Sequence, residues 1–365
     1  MIFYILFGIL FFLSLIYYSG KKYPFAQTAY LHFCVFCLFL IIAGGRNNVG
    51  TDWWQYKEVF DTYVIDCNYV HGSFEVLFYG FTGVIAKFSR SFNVFIFSLF
   101  LLSFFLKYRF IIDNSSNVFF SFLIYLSGIF LIFDINALRQ GVALGFTLLS
   151  CTFIFKKNYL IFFLLIFLAT LFHSSAVVFL LAYFFTNFRL SNKKYVIYTL
   201  VLSVLGYYIS AFISDILVLG ISDSNIADKF EYYSSGNYYV SKVSLFSVST
   251  LRRIVLWGAI LYLTRNIKDK NVYFYKNCLL FSFFLYFLFA SSLEVAYRIS
   301  YYFFCFEILL LPLGISQILN KNNRIMLLTF FCCYYFYLTY KLVSVPDGGL
   351  FISVSYTHLT LPTKA

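Results

Sequence analysis

The chain has 365 residues, of which 62% are apolar, 24% aromatic and only 12% charged, whereas soluble domains are about a quarter charged. Arranged in long apolar blocks between short polar breaks, this composition excludes a secreted disulfide scaffold, a nucleic-acid-binding domain and an ordinary cytosolic enzyme. It predicts an all-α, polytopic integral membrane protein, and the net charge of +12 then records Lys and Arg retained in cytoplasmic loops, with no nucleic acid as partner.

Against a hydrocarbon core about 30 Å thick, the blocks predict about 12 transmembrane helices, at 2–18, 25–43, 92–106, 117–133, 141–155, 159–172, 175–186, 195–219, 251–264, 276–292, 300–318 and 325–342. The first block lacks a basic leader and a small-residue cleavage site and is followed by Lys21 and Lys22, so it reads as a retained span. The stretch 74–88 fits a re-entrant or interfacial helix, with Gly80 and Gly83 permitting a bend or close approach. Were it to cross, Lys21-Lys22 and Lys156-Lys157 would lie on opposite sides. With that alternation, the face holding 19–24, 107–116, 156–158, 187–194, 265–276 and 319–324 carries 15 Lys/Arg and two acids, a net of +13, and the rest of the chain nets −1. The basic face is the cytoplasmic one. Both chain ends and the chemically rich segments 44–72, 134–140, His173, 220–250 and 293–299 then face outward. Residues 1–343 are expected to form a single polytopic membrane domain. The segment 353–365 resembles translated adapter read-through, so His358 and Lys364 carry no functional weight.

The first outer loop contains Arg46, Asn47, Asn48, Gly50, Thr51 and Asp52, and then Trp53, Tyr56, Phe60 and Tyr63 at helical spacing. That stripe predicts an amphipathic helix on the membrane surface, capped by Thr51. Asp52 in its first turn either complements the helix dipole or serves as a functional carboxylate. Arg46 stands at the mouth of a span beside two further donors, Asn47 and Asn48. Arg139, in Asp134-Ile135-Asn136-Ala137-Leu138-Arg139-Gln140-Gly141, opens an apolar helix and is either a ligand-binding charge or half of an ion pair with Asp134. Glu294 and Arg298, four apart, either pair along a helix or bind ligand. His173 between apolar spans is either a satisfied polar residue or a proton acceptor. Outward arginines without matching buried acids suit an anionic ligand, and a diphosphate at the outer leaflet fits their forked donors. The Tyr- and Ser-rich loop 220–250 suits either sugar stacking or interface anchoring. Cys34-x-x-Cys37 lacks the second half of a zinc site, and no Gly-rich phosphate loop or nucleophile elbow occurs, so no cofactor and no metal are expected.

Taken in order, Arg46…Val49-Gly50-Thr51-Asp52…Tyr56, Arg139-Gln140-Gly141-Val142-Ala143, His173-Ser174-Ser175-Ala176 and Arg298…Tyr301-Tyr302-Phe303 resemble the EpsG family of Wzy-type polysaccharide polymerases over roughly residues 1–340. The resemblance implies a membrane glycosyltransferase that joins undecaprenyl-diphosphate-linked oligosaccharide repeat units into O-antigen, capsule or exopolysaccharide. It implies a multi-pass protein of the bacterial cytoplasmic (inner) membrane with an outward active site, in the lipid bilayer and alongside other polysaccharide assembly proteins. It also implies that Arg46, Arg139 and Arg298, with Glu294 beside the last, hold donor and leaving diphosphates, while Asp52 or His173 takes the attacking hydroxyl's proton. A lipid-linked glycan flippase or transporter, and an O-antigen ligase, are the alternatives.

Overall fold

The computed structural model describes residues 1–20, 24–46, 49–50, 52–66, 74–220, 242–244 and 246–344, apart from the side chains of Phe25, Asp66 and 211–220. Lys21, Lys22, Asn47, Asn48, Thr51, Cys67, most of the Tyr-rich loop, the Asp215 side chain and the tail 353–365 lie outside the described residues.

The described chain is all-helical. A helix stands at every predicted apolar block, but among the described residues only five are, by length and composition, long and apolar enough to cross a membrane: Ala26–Gly44, Phe92–Asn114, Val118–Asn136, Leu138–Phe155 and Lys321–Ser344. A sixth arises if Leu293–Phe304 and Glu307–Ser316, bent by 48° to one another, form one broken span. Phe12, Phe33, Ile41, Phe167, Val255 and Phe330 are exposed on their helices, as on a surface that faces hydrocarbon. The helix Val76–Phe88 has 13 residues and rises about 20 Å, short of the hydrocarbon core. Ser174–Asn187, also short in residues, is a 3-10 helix of 14 residues. Its steeper rise stretches those residues over about 28 Å, where an α-helix would reach about 21 Å.

The chain forms two compact units. The first contains Met1–Thr152, Leu164–Ser174 and the chain from Ile318 onward. Its centre is Val118–Asn136, which begins as an α-helix and continues from Leu126 as a π-helix, a form that otherwise occurs mostly as single turns. Leu138–Phe155 packs close to Phe92–Asn114 through Gly141 and Gly145. A Cβ at Gly141 would lie 2.7 Å from Asp134 Oδ1, and one at Gly145 3.0 Å from Leu106 Cβ. Two small residues four apart let helix backbones approach in this way. Gly141→Ala is therefore expected to overpack this contact and cost about 1–3 kcal/mol, read as a lower thermal unfolding midpoint in detergent.

The second unit contains Phe153–Phe163 and Ser175–Gln317. Here Asn277 ties three helices together, donating to Phe185 O and Phe188 O at 2.9 Å each and accepting from the Tyr195 hydroxyl at 2.8 Å. Lys276 is buried and donates to Thr264 O at the end of Val248–Leu263, where a cation offsets the unpaired carbonyls.

Two readings from the sequence are corrected. Lys107 and Lys276, counted among cytoplasmic loop charges, are buried within helices, Lys107 because its helix continues to Asn114. The stripe Trp53, Tyr56, Phe60 and Tyr63 is buried against Phe78, Tyr79, Phe92 and Phe95, so it anchors the helix Trp53–Asp66 to protein and not to the membrane surface.

Candidate functional site

The first unit gathers four of the residues singled out from the sequence. Arg46 follows Phe25–Gly44, is buried, and donates from Nη1 to the carbonyls of Asp134 at 2.9 Å and Ile135 at 3.0 Å. These carbonyls belong to the last turn of the π-helix, which has no intrahelical donors for them, so Arg46 caps that end. Burial pulls its guanidinium down to about 10, against the opposing pull of Tyr56 and Asp134, which leaves it charged at neutral pH. Gly50 makes the close approach of this loop possible: its φ is +112°, and a Cβ there would stand 2.5 Å from Ile135 O. Gly50→Ala is expected to dislodge the loop and lower both the unfolding midpoint and activity, because it meets strain and a clash at once.

Asp134 does not pair with Arg139. Its carboxylate accepts from Lys107 Nζ at 2.6 Å, Ser103 Oγ at 2.5 Å and the Tyr125 hydroxyl at 2.6 Å, all fully buried. Arg139 instead donates from Nη1 to Glu75 Oε2 at 2.6 Å, with the two side chains 13% and 18% exposed. Its guanidinium carbon lies 3.8 Å from the centre of the Phe74 ring, and Phe74, like Glu75, comes from the chain entering Val76–Phe88. The other carboxylate oxygen of Glu75 accepts from the Ser174 N–H at 3.1 Å and its hydroxyl at 3.3 Å, beside His173. On the opposite side of Arg139, its N–H donates to Tyr56 Oη at 3.4 Å, and the Tyr56 hydroxyl donates to Asp52 Oδ2 at 3.1 Å. Asp52, Tyr56, Arg139, Glu75 and Ser174, next to His173, thus form one polar chain across four segments distant in sequence.

Its electrostatics follow from this arrangement. Burial, reinforced by Asp52, pushes the Tyr56 phenol well above its ordinary value, so it remains the proton donor to Asp52. Burial alone would raise the Glu75 carboxyl, but Arg139, then His173 and the Ser174 N–H, outweigh it and hold it below its ordinary 4.5. A carboxyl depressed on folding stabilises the fold above its unfolded pKa and loses that contribution as pH falls through the folded one. The wild-type unfolding midpoint should therefore fall as pH drops below about 4.5, and Glu75→Gln should flatten that part of the profile.

Arg298 and Glu294 lie in the second unit, on Leu293–Phe304, and pair at 2.5 Å as their spacing predicts. The cysteines that are described are all free, and no three His, Cys, Asp or Glu side chains among the described residues stand together as a metal site.

Two residues escaped the sequence reading. Glu75 was hidden at the edge of an apolar stretch, where a lone acid beginning a short apolar helix was the available signal. Arg253, buried in the second unit, lies just inside a predicted span, and an ionisable residue there was the same kind of signal.

No curated protein and no solved structure matches this chain. A comparison with protein families matches residues 29–357 to the EpsG family, which covers all of the second unit, most of the first and all four motifs. The chain belongs to the EpsG family.

Proposed function

We propose that this protein is a membrane glycosyltransferase of the polysaccharide polymerase type, lengthening undecaprenyl-diphosphate-linked oligosaccharides at the outer face of the bacterial cytoplasmic membrane. The observation that supports this most is the polar chain that runs from Asp52 through Tyr56 and Arg139 to Glu75, beside His173, in a chain of the EpsG family. In this reading the twelve apolar helices all cross the membrane, with local thinning where they are short. The products are O-antigen, capsule or exopolysaccharide, made together with other polysaccharide assembly proteins.

In the reaction, a hydroxyl of the acceptor glycan attacks the donor's anomeric carbon, and the bond from that carbon to the diphosphate oxygen breaks. The diphosphate leaves with the electron pair. Arginines near that oxygen stabilise the charge as it develops, a role for Arg139, while Arg46 holds the loop that carries Asp52 and Arg298 binds substrate within its own unit. The hydroxyl's proton passes to Asp52 or His173. Glu75, with both carboxylate oxygens already engaged, orients Arg139 and is not the base. Membranes supplied with lipid-linked repeat units should lengthen them, and Arg139→Ala and Arg298→Ala should each lose that ability while still inserting. Full retention in both would sink the assignment.

A flippase is the second reading, because the broken pair Leu293–Phe304 and Glu307–Ser316 is a feature shared with transporters. Deleting a polymerase leaves single repeat units on the outer leaflet, and deleting a flippase leaves them on the inner one. A ligase deletion would leave long lipid-linked chains.

A further inference from the structure

Arg253, in the helix Val248–Leu263, is 1% exposed. Its guanidinium carbon stands 4.3 Å from the ring centre of Tyr286, 4.3 Å from that of Phe304 and 5.0 Å from that of Tyr297. Among the described residues, none of its three side-chain nitrogens has a hydrogen-bond partner. The hydroxyl of Tyr286, a side chain with 0% exposure, has none either. Ring faces offset the charge of a guanidinium, but they leave its five N–H donors without an oxygen acceptor. Buried polar groups in folded proteins are nearly always bonded, so a guanidinium and a phenol left together without acceptors form a donor set suited to an oxygen-rich ligand. Arg46 and Arg139, by contrast, both find oxygens within the first unit.

The surroundings point the same way. Two of the three rings, Tyr297 and Phe304, belong to the half-helix that breaks at Cys305 and Phe306 before Glu307–Ser316. Within membrane domains, interrupted helices occur where they are buried in protein or line a cavity, and they recur at binding sites. Tyr297 is the partly exposed member of the cage and forms its accessible edge.

We propose that this cage is a closed oxyanion site, in which Arg253 and the Tyr286 hydroxyl donate to a phosphate that enters past Tyr297. Phosphate suits the donors better than carboxylate does, because the guanidinium and phenol together offer more donors than two carboxylate oxygens can receive in one plane. The phosphate belongs either to a polyprenyl diphosphate headgroup or to free inorganic anion. In the first case the site holds one of the two lipid-linked substrates, an extension that rests on the polymerase reading.

The test uses the full chain in phosphatidylcholine nanodiscs, titrated with inorganic phosphate, inorganic pyrophosphate and undecaprenyl diphosphate while thermal unfolding is followed. Ligands that bind the native state raise the midpoint, and above Kd the rise continues with the logarithm of ligand concentration. Wild type should show this rise. Arg253→Met, which keeps the length and removes the charge, should lose it, and Tyr286→Phe should need about tenfold more ligand. A rise with undecaprenyl diphosphate alone assigns the lipid headgroup, and an equal rise with pyrophosphate assigns the free anion. No rise in wild type with any probe, or an unchanged rise in Arg253→Met, overturns the proposal. Should Arg253→Met fail to insert, an unchanged curve in Tyr286→Phe overturns it instead. No sugar is transferred in this assay, so failure of the polymerase reading would appear separately, in the lengthening assay.

Discussion

Glu75→Ala is expected to lower the rate of glycan lengthening by about tenfold to a hundredfold, the equivalent of one charge-assisted hydrogen bond at roughly 1.5–3 kcal/mol. The substitution removes the acceptor for Arg139 Nη1 and for both donors of Ser174 at once. Arg139 Nε already lacks a partner, so without Glu75 the guanidinium is held only by the ring faces of Phe74, Phe78 and Tyr56. Its position would then be set by packing and no longer by a 2.6 Å bond. Glu75→Gln keeps the acceptor for Ser174 and loses the charge, so its rate should fall between those of wild type and Glu75→Ala. Because Glu75 and Arg139 act as one unit, the double variant Glu75→Ala/Arg139→Ala should be little slower than the worse single one. Initial rates in membranes containing equal amounts of inserted protein provide the measurement. A Glu75→Ala variant with wild-type rate beside an inactive Arg139→Ala would show that Glu75 does not position the arginine.

The second large effect is expected on stability. Lys107→Met leaves the Asp134 carboxylate buried with only the hydroxyls of Ser103 and Tyr125, and breaking a buried pair from one side costs about 3–5 kcal/mol. Asp134→Asn strands the ammonium of Lys107 in the same way. Lys107→Met/Asp134→Asn removes both charges while keeping an acceptor for Ser103 and Tyr125, and should recover most of the loss. Thermal unfolding midpoints of the four proteins close the cycle, and additive losses in the double variant would contradict an energetic pair. The consequence reaches the polar chain, because the backbone carbonyl of the same Asp134 receives Arg46. A π-helix that loosens at this end releases the loop that carries Asp52.

The apolar blocks and their composition determined the helices, since each is a local property of a run of side chains and, at these lengths, hydrocarbon leaves few alternatives to helix. The pair Glu294 and Arg298 was legible for the same reason, being four residues apart on one helix face. The stripe Trp53, Tyr56, Phe60 and Tyr63 was legible as a face, but not what it faces: an aromatic surface suits a bilayer interface and a protein core equally, and neighbouring helices decided for the core. Only the tertiary structure decided which charges meet. Arg139 passes over Asp134, close in sequence, for Glu75, because Lys107, Ser103 and Tyr125 already fill the buried acid's coordination. Those partners come from Phe92–Asn114 and the first part of Val118–Asn136, and nothing in residue spacing reports how such helices pack. Spacing along one helix fixes distances within it, whereas distances between helices depend on where close contacts such as Gly141 and Gly145 let backbones meet.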